Sequence, residues 1–149
     1  GEVCPDILSL LLNCLYALDT LDKPLEQVKA VFQLRLLTLT GLAPLLDTCV
    51  VCGNPQPAEP RLHLLQGVLH CAACRTQVGD GVSMPLSPAA LAAARYIVGG
   101  EAKKLFSFSL TPEACKQLDQ VTEAFLMTQQ ERGFRTLDYY KQLRRQSFS

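Results

Sequence analysis

CVVCGNPQPAEPRLHLLQGVLHCAACR, residues 49–75, contains two identical C-x-x-C pairs with eighteen residues between them. The stretch between the pairs has the pattern of two short strands around Gln66-Gly67, and such a hairpin brings its two ends together. Each C-x-x-C turn offers two thiolates to one metal ion, and structural zinc prefers four tetrahedral sulfur ligands. The stretch therefore predicts a small β element held by one structural zinc ion. The four predicted ligands are Cys49, Cys52, Cys71 and Cys74.

Other uses of paired cysteines fit the sequence less well. A thioredoxin-type redox motif needs a C-x-x-C that opens a helix in a βαβ setting, which this sequence does not show. Haem attachment needs a histidine directly after the pair, where Gly53 and Arg75 stand. A zinc deaminase needs an H-x-E motif and an open metal position, and four sulfur ligands leave none. An iron–sulfur cluster uses the same ligands and stays an alternative. His63 and His70 are interpreted as strand side chains rather than ligands.

The composition indicates a globular domain with a core of its own. The chain has 149 residues, of which 48% are hydrophobic and 19% charged. No transmembrane helix or signal peptide is expected, because no apolar stretch is long enough and the first apolar run lacks basic residues before it. The first residue is glycine, so we expect a fragment or a trimmed chain. Cys4, Cys14 and Cys115 stand singly, which argues against a disulfide framework and predicts a reducing compartment, the cytoplasm.

Around the cysteines the pattern is helical. Residues 6–19 are apolar on nearly every face and predict a mostly buried helix. A second helix is expected to have Pro24 in its first turn and to end at Gly41, and a third to start at Ser87-Pro88 and end at Gly99-Gly100. A long helix is predicted from Pro112 to Arg132, stopped by Gly133, followed by a last helix capped by Thr136. The predicted fold is a helical domain, 1–48 and 76–149, with the zinc-binding β-hairpin of 49–75 inserted.

No constellation for catalysis is present in the sequence. We find no glycine-rich phosphate loop, no G-x-S-x-G and no convincing pair of acids. The chain is therefore predicted not to be an enzyme and to take no small-molecule substrate.

The charge is uneven along the chain, although its formal sum is zero. Residues 1–80 contain 5 Lys/Arg and 8 Asp/Glu, whereas residues 81–149 contain 9 and 6. A basic second half can meet a polyanion or an acidic tail, and a swing of this size also arises by chance.

The order of these features resembles the C-terminal region of the bacterial recombination mediator RecO. The most specific parts are FQLRLLTLTGLAPLLDTC, residues 32–49, and RGFRTLDYYKQL, residues 132–143. The resemblance implies single- and double-stranded DNA binding, strand annealing, and interaction with RecR and with the acidic, Phe-ended tail of single-stranded DNA-binding protein (SSB), to help load RecA. It also implies an N-terminal OB-fold, whose five-stranded pattern this sequence does not show. We therefore expect the OB-fold to be absent from this chain.

Cations near aromatic residues are the predicted DNA-binding groups, because cations neutralise phosphates without reading sequence. They are Lys103, Lys104, Arg132, Arg135, Lys141, Arg144 and Arg145. The alternative is a solvated helix with incidental charge. Phe134 and Tyr139-Tyr140 can stack on bases, although core or interface packing is the simpler interpretation.

Two arginines in apolar helices, Arg35 and Arg95, are candidate rim residues for the acidic tail, together with Lys103-Lys104. For Arg35 a side chain that lies along the edge of the apolar face is the plainer alternative. The second hypothesis for the whole chain is a zinc-stabilised protein–protein interaction module without a DNA role.

Overall fold

The computed structural model describes residues 3–147, and these are mostly helical, as predicted. The four α-helices within this range are α1, Val3–Asp19; α2, Leu25–Leu39; α3, Pro88–Gly99; and α4, Pro112–Ser147. Between α2 and α3 lie three short strands, β1, Arg61–His63; β2, Val68–His70; and β3, Ser83–Pro85. Two short 3-10 segments, Ala72–Gln77 and Ala102–Lys104, complete the fold. None of the helices in the described range is both long and apolar enough to cross a membrane.

The predicted start and stop signals act where they were expected for three helices. Pro24 precedes α2, and Gly41, just beyond its end, has φ +80°. The hydroxyl of Ser87 accepts a hydrogen bond from the amide three residues on, so it caps α3. Thr111 does the same for α4 at 3.2 Å. Local chemistry thus suffices to place these boundaries.

The core lies around α2, which packs against all three other helices. Val31 and Leu34 of α2 meet Ile97 of α3 and Leu118 and Phe125 of α4 in one continuous apolar cluster. The sheet adds Leu62 and Leu69 to the same cluster. The cysteine-bearing β element is therefore packed onto the helical core rather than tethered to it.

The prediction that α1 is mostly buried is wrong. Only Leu10, Cys14 and Ala17 are buried. The four leucines on the other side of the helix are each between 43% and 57% exposed; these are Leu8, Leu11, Leu12 and Leu15. The reason is that α1 packs mainly against α2, and one neighbour covers only one face of a helix.

The predicted break at Gly133 is also wrong. Helix α4 runs without interruption through Gly133 to Ser147, and Thr136 bonds back to the carbonyl of Arg132 instead of capping a new helix. A glycine inside a helix costs about 1 kcal/mol relative to alanine, which weakens a helix without ending it. All residues from 131 to 147, hereafter the outer half of α4, are exposed.

The predicted hairpin is confirmed, and the sheet gains a third strand. β1 lies in the middle, antiparallel to both β2 and β3, with Leu62 opposite Leu69 and Met84. Gly67 in the turn has φ +65°, and an added Cβ there would lie 3.3 Å from the ring of Phe125, so helix α4 closes over the hairpin. β3 was missed because its three residues lie in a Gly/Pro-rich stretch that has the composition of a turn. The boundaries 49–75 remain a prediction.

Candidate metal centre

The four cysteine sulfurs meet at one place. The Sγ atoms of Cys49, Cys52, Cys71 and Cys74 all lie within 4.8 Å of one another. The Sγ atoms of Cys52 and Cys71 are 3.7 Å apart. In a tetrahedral site with Zn–S bonds of about 2.3 Å, neighbouring sulfurs stand about 3.8 Å apart. The spacing and the donor set therefore fit a four-sulfur metal centre.

The first turn has the backbone that a C-x-x-C metal loop needs. The amide of Gly53 donates to the carbonyl of Cys49 at 2.9 Å, and the amide of Cys49 donates to the carbonyl of Asn54 at the same distance. Gly53, directly after the second thiol, has φ +75°, which glycine adopts without steric cost. This conformation folds Cys49 and Cys52 onto one side of the loop.

The second C-x-x-C turn has a different backbone conformation from the first. Cys74 lies in the 3-10 segment Ala72–Gln77, and its amide donates to the carbonyl of Cys71 at 3.0 Å. Arg75, which stands where the first turn has glycine, continues this segment. Its guanidinium donates to the carbonyl oxygens of Gly79, at 2.8 Å, and Gly81. The arginine thus closes the loop that follows the second turn.

Strand β2 joins the two turns. The amide of Val50 in the first turn donates to the carbonyl of Leu69 at 2.8 Å. Two residues beyond Leu69, the amide of Cys71 donates to the Sγ of Cys49 at 3.4 Å. The hairpin therefore delivers the second pair of thiols directly onto the first pair.

The protein surroundings shift the pKa values of the cysteine thiols in different directions. Burial of Cys49 opposes its ionisation, but the backbone amides of Cys52, Cys71 and Val51 outweigh it and lower the pKa to about 6. Burial raises the pKa of Cys74 to about 12, with help from the neighbouring Cys49 and Cys52. Burial likewise raises the pKa of Cys71. A metal must displace these protons, because only thiolates are good metal ligands.

The two histidines behave as strand side chains, as interpreted from the sequence. Both are fully buried. The Nδ1 of His63 accepts from the amide of Gln66, so its Nε2–H donates to the carbonyl of Asp80 at 2.9 Å. His70 uses its Nδ1–H on the carbonyl of Cys71 and its Nε2 on the hydroxyl of Ser83, both at 2.8 Å. Both rings are thus hydrogen-bonded through both of their nitrogens.

The predicted DNA-binding cations lie on two elements, and all are exposed. Lys103 and Lys104 end the 3-10 segment before α4, and the other five lie on the outer half of α4, namely Arg132, Arg135, Lys141, Arg144 and Arg145. Arg132 donates to the carbonyl of Leu65 at 3.2 Å, and Arg135 pairs with Glu131.

The aromatic residues among these cations lie outside the core. Phe134, Tyr139 and Tyr140 are 56–68% exposed. The interpretation that they pack in the core is therefore wrong, because the outer half of α4 extends beyond the elements that cover its first turns. Packing at an interface stays a prediction.

Arg35 and Arg95, which were predicted to lie at the rim of a site for the acidic tail, both donate hydrogen bonds to backbone carbonyls. One guanidinium nitrogen of Arg35 donates to the carbonyls of Ile97, Val98 and Gly100, at 3.0–3.4 Å, and so satisfies the end of α3. Arg95 donates to carbonyls beside the first C-x-x-C turn. Their role towards a tail stays a prediction. The structural use was missed because the sequence shows only a lone cation in an apolar helix.

Comparison with known proteins agrees with this architecture. The family described as "Recombination protein O C terminal" matches residues 1–138. "DNA repair protein RecO" of Acetivibrio thermocellus is 30% identical over 139 residues, which are 93% of this chain and 55% of that protein. The protein of the same description from Symbiobacterium thermophilum is 28% identical over 138 residues, 91% of this chain and 54% of its own. The chain spans about half the length of these curated relatives. It therefore belongs to the RecO family and matches the C-terminal region of that family.

Proposed function

We propose that this chain is the helical, zinc-binding part of a DNA-repair and recombination mediator, which binds DNA and partner proteins without catalysing a reaction. The observation that carries the proposal is membership of the RecO family over nearly the whole chain. The finer activities are those that the resemblance implies: binding and annealing of DNA strands, contact with RecR and with SSB, and help in loading RecA. The chain spans about half the length of its curated relatives, and these activities of the whole relatives come to this chain only as part of the proposal.

The metal proposed is one zinc ion on Cys49, Cys52, Cys71 and Cys74. Four sulfurs at these separations support it. Zinc would supply a covalent-like cross-link between the two turns and leave no position for an activated water. The proposed location of the chain is the cytoplasm, where thiols stay reduced. Three further unpaired cysteines agree with this location, namely Cys4, Cys14 and Cys115.

The DNA surface proposed is centred on the outer half of α4. This segment has five cations against two acids, Glu131 and Asp138, and all of its residues are exposed. A helix of this length is about 25 Å long, enough to follow several phosphates. Exposed Phe134, Tyr139 and Tyr140 stand beside the cations and offer faces for base stacking. Charge and aromatic surface are thus available together.

Binding to labelled single-stranded oligonucleotides tests this proposal. The expected result is an affinity that falls steeply with salt and hardly changes between sequences, because phosphate contacts carry no sequence information. Double-stranded DNA is expected to bind by the same cations. Affinity that is absent at low salt, with zinc bound and the chain folded, would exclude the DNA role for this chain.

The exposed leucines of α1 favour the alternative function, a zinc-stabilised protein–protein interaction module without a DNA role. The four leucines form an apolar face larger than scattered surface residues would produce. Failure to bind DNA together with retained binding to RecR would support this alternative.

We propose a cleft beside α1 as the receptor for the acidic SSB tail. The cleft, of about 360 Å³, is lined by Tyr16, Leu21 and Phe106, with Lys103 among its walls. A neighbouring cleft of about 270 Å³ contains Arg35 and shares Asn13 and Ala102 with it. Apolar walls beside a cation suit a terminal Phe and its carboxylate.

A labelled tail peptide, with and without its terminal Phe, tests the cleft. We expect affinity near micromolar, about −8 kcal/mol, only with the Phe present. Lys103→Glu should weaken binding, whereas Lys116→Glu, the same change on the exposed side of α4, should not. Equal binding of both peptides would leave only charge attraction and exclude a pocket.

A further inference from the structure

The first C-x-x-C turn is held at both ends by one side chain from the helical core. The Nε of Arg95 donates to the carbonyl of Leu46 at 2.8 Å, and one terminal nitrogen donates to the carbonyls of Asp47, at 3.3 Å, and Pro55, at 2.8 Å. Leu46 and Asp47 precede the turn, and Pro55 follows it. The planar guanidinium therefore closes the loop that contains Cys49 and Cys52.

Arg95 is itself fixed. It lies on α3, where its neighbours Ala93, Ala94 and Ile97 are all buried in the core. Leu46, whose carbonyl it binds, is buried as well. A chain of packed and hydrogen-bonded groups thus leads from the core of the helical domain to the first pair of thiols.

We infer that Arg95 is a positioning residue for the metal centre: it holds the first turn in its metal-binding conformation before the metal arrives. This inference rests on the proposed metal site. A loop that is already ordered loses less conformational entropy when its ligands close on an ion, so binding is tighter. The hydrogen bonds of Arg95 go to carbonyl oxygens on either side of the turn, so the residue acts through the backbone.

The second turn takes its hydrogen bonds from the insert and the loop after it. Arg75 closes on Gly79 and Gly81, and the side-chain amide of Gln66 donates to the carbonyl of Val78 at 2.6 Å. Removal of Arg95 should therefore loosen Cys49 and Cys52 and leave Cys71 and Cys74 as they are. This asymmetry separates a positioning role from a general loss of stability.

The first measurement is zinc affinity, by competition with a chromophoric chelator. Arg95→Gln should weaken zinc binding about tenfold, within the range found for residues that support metal ligands. The zinc affinity of Arg95→Lys should fall between those of wild type and Arg95→Gln, because an ammonium on a flexible stem cannot bind carbonyls at both ends of the loop as a planar guanidinium does. Arg35→Gln is the matched control. It removes a guanidinium that also binds three carbonyls, but these are the carbonyls at the C-terminal end of α3 and do not flank a C-x-x-C turn. Arg35→Gln should therefore lower stability without changing zinc affinity.

The second measurement needs no metal. In the zinc-free folded chain, alkylation rates of each cysteine are followed by mass spectrometry. Arg95→Gln should make Cys49 and Cys52 react faster, while Cys71 and Cys74 keep the wild-type rates. Equal zinc affinity for Arg95→Gln and wild type would overturn the inference. So would alkylation rates that rise by the same factor for all four thiols, or for none of them, when the variant is compared with wild type. If wild type itself bound no zinc, the proposed metal would fail, and the alkylation pattern would still decide whether Arg95 orders the turn.

Discussion

The cysteine-bearing insert, 49–75, and the outer half of α4 were both expected to bind a ligand, and their structures differ in kind. In the insert, the four sulfurs converge, and His63 and His70 are fully buried with both ring nitrogens hydrogen-bonded. In the outer half of α4, all residues are exposed, and Arg132 at its start bonds to the turn of the hairpin through the carbonyl of Leu65.

The difference separates two kinds of recognition. A metal centre depends on the positions of four atoms to within tenths of an ångström, so a single substitution can destroy it. Phosphate binding depends on the sum of charges, so each substitution removes a share. The insert should therefore respond to mutation in an all-or-none way, and the outer half of α4 in a graded way.

The largest effect is expected from Cys74→Ser. Loss of one sulfur should abolish stoichiometric zinc binding, which in isolated zinc fingers is worth roughly 10–16 kcal/mol, and should loosen the insert while the helices persist. Cys4→Ser, at an exposed thiol outside the cluster, is the control and should retain one zinc per chain. Metal analysis measures the zinc bound per chain, and circular dichroism measures whether the helices persist. Zinc retained by Cys74→Ser, or an iron chromophore in wild type, would contradict the assignment.

Next in size is a comparison within α4. Phe125 is buried and lies against the hairpin turn, so Phe125→Ala should lower the free energy of unfolding by about 3–5 kcal/mol. Phe134 is 68% exposed, and Phe134→Ala should change the free energy of unfolding by no more than about 0.5 kcal/mol. Chemical denaturation compares them directly. A large loss of stability from Phe134→Ala would mean that the outer half packs against something in solution.

A smaller, graded effect is expected from the cations. Arg144→Glu should weaken DNA binding about equally for all sequences, and Arg144→Glu with Arg145→Glu should weaken it further. On single strands, the slope of log K against log salt should flatten by about 0.7 for each phosphate that the variant no longer neutralises. Lys116→Glu, the same charge change on the inner half of α4, controls for net charge. An unchanged slope in the double variant would show that this helix is only solvated.

The smallest effect is expected from Gly133→Ala. An added Cβ at this position would meet nothing within 4 Å, so the substitution should stabilise the helix by about 0.5–1 kcal/mol. Amide hydrogen exchange should become slower in residues 131–147 and stay unchanged in the core. Faster exchange would mean that the helix breaks at Gly133 after all.

Much of the fold followed from local residues. The helix starts at Ser87-Pro88 and Pro112, the helix ends at Gly41 and Gly99 and the hairpin at Gln66-Gly67 were predicted correctly, because each depends on chemistry within a few residues. The third strand was missed, since three residues show no clear period of two. The break at Gly133 was predicted wrongly, because a glycine ends a helix only when the chain also turns there.

By itself, the sequence determined which residues form helices, where most of them begin, and which four thiols come together, since these features depend on short spacings along the chain. Burial was decided by the tertiary structure alone. The leucines of α1 and the aromatic residues of the outer half of α4 look like core residues in the sequence, yet they are exposed because no described element packs over them. The partners of Arg35 and Arg95 lie between 40 and 65 residues away, so only the folded chain brings them together.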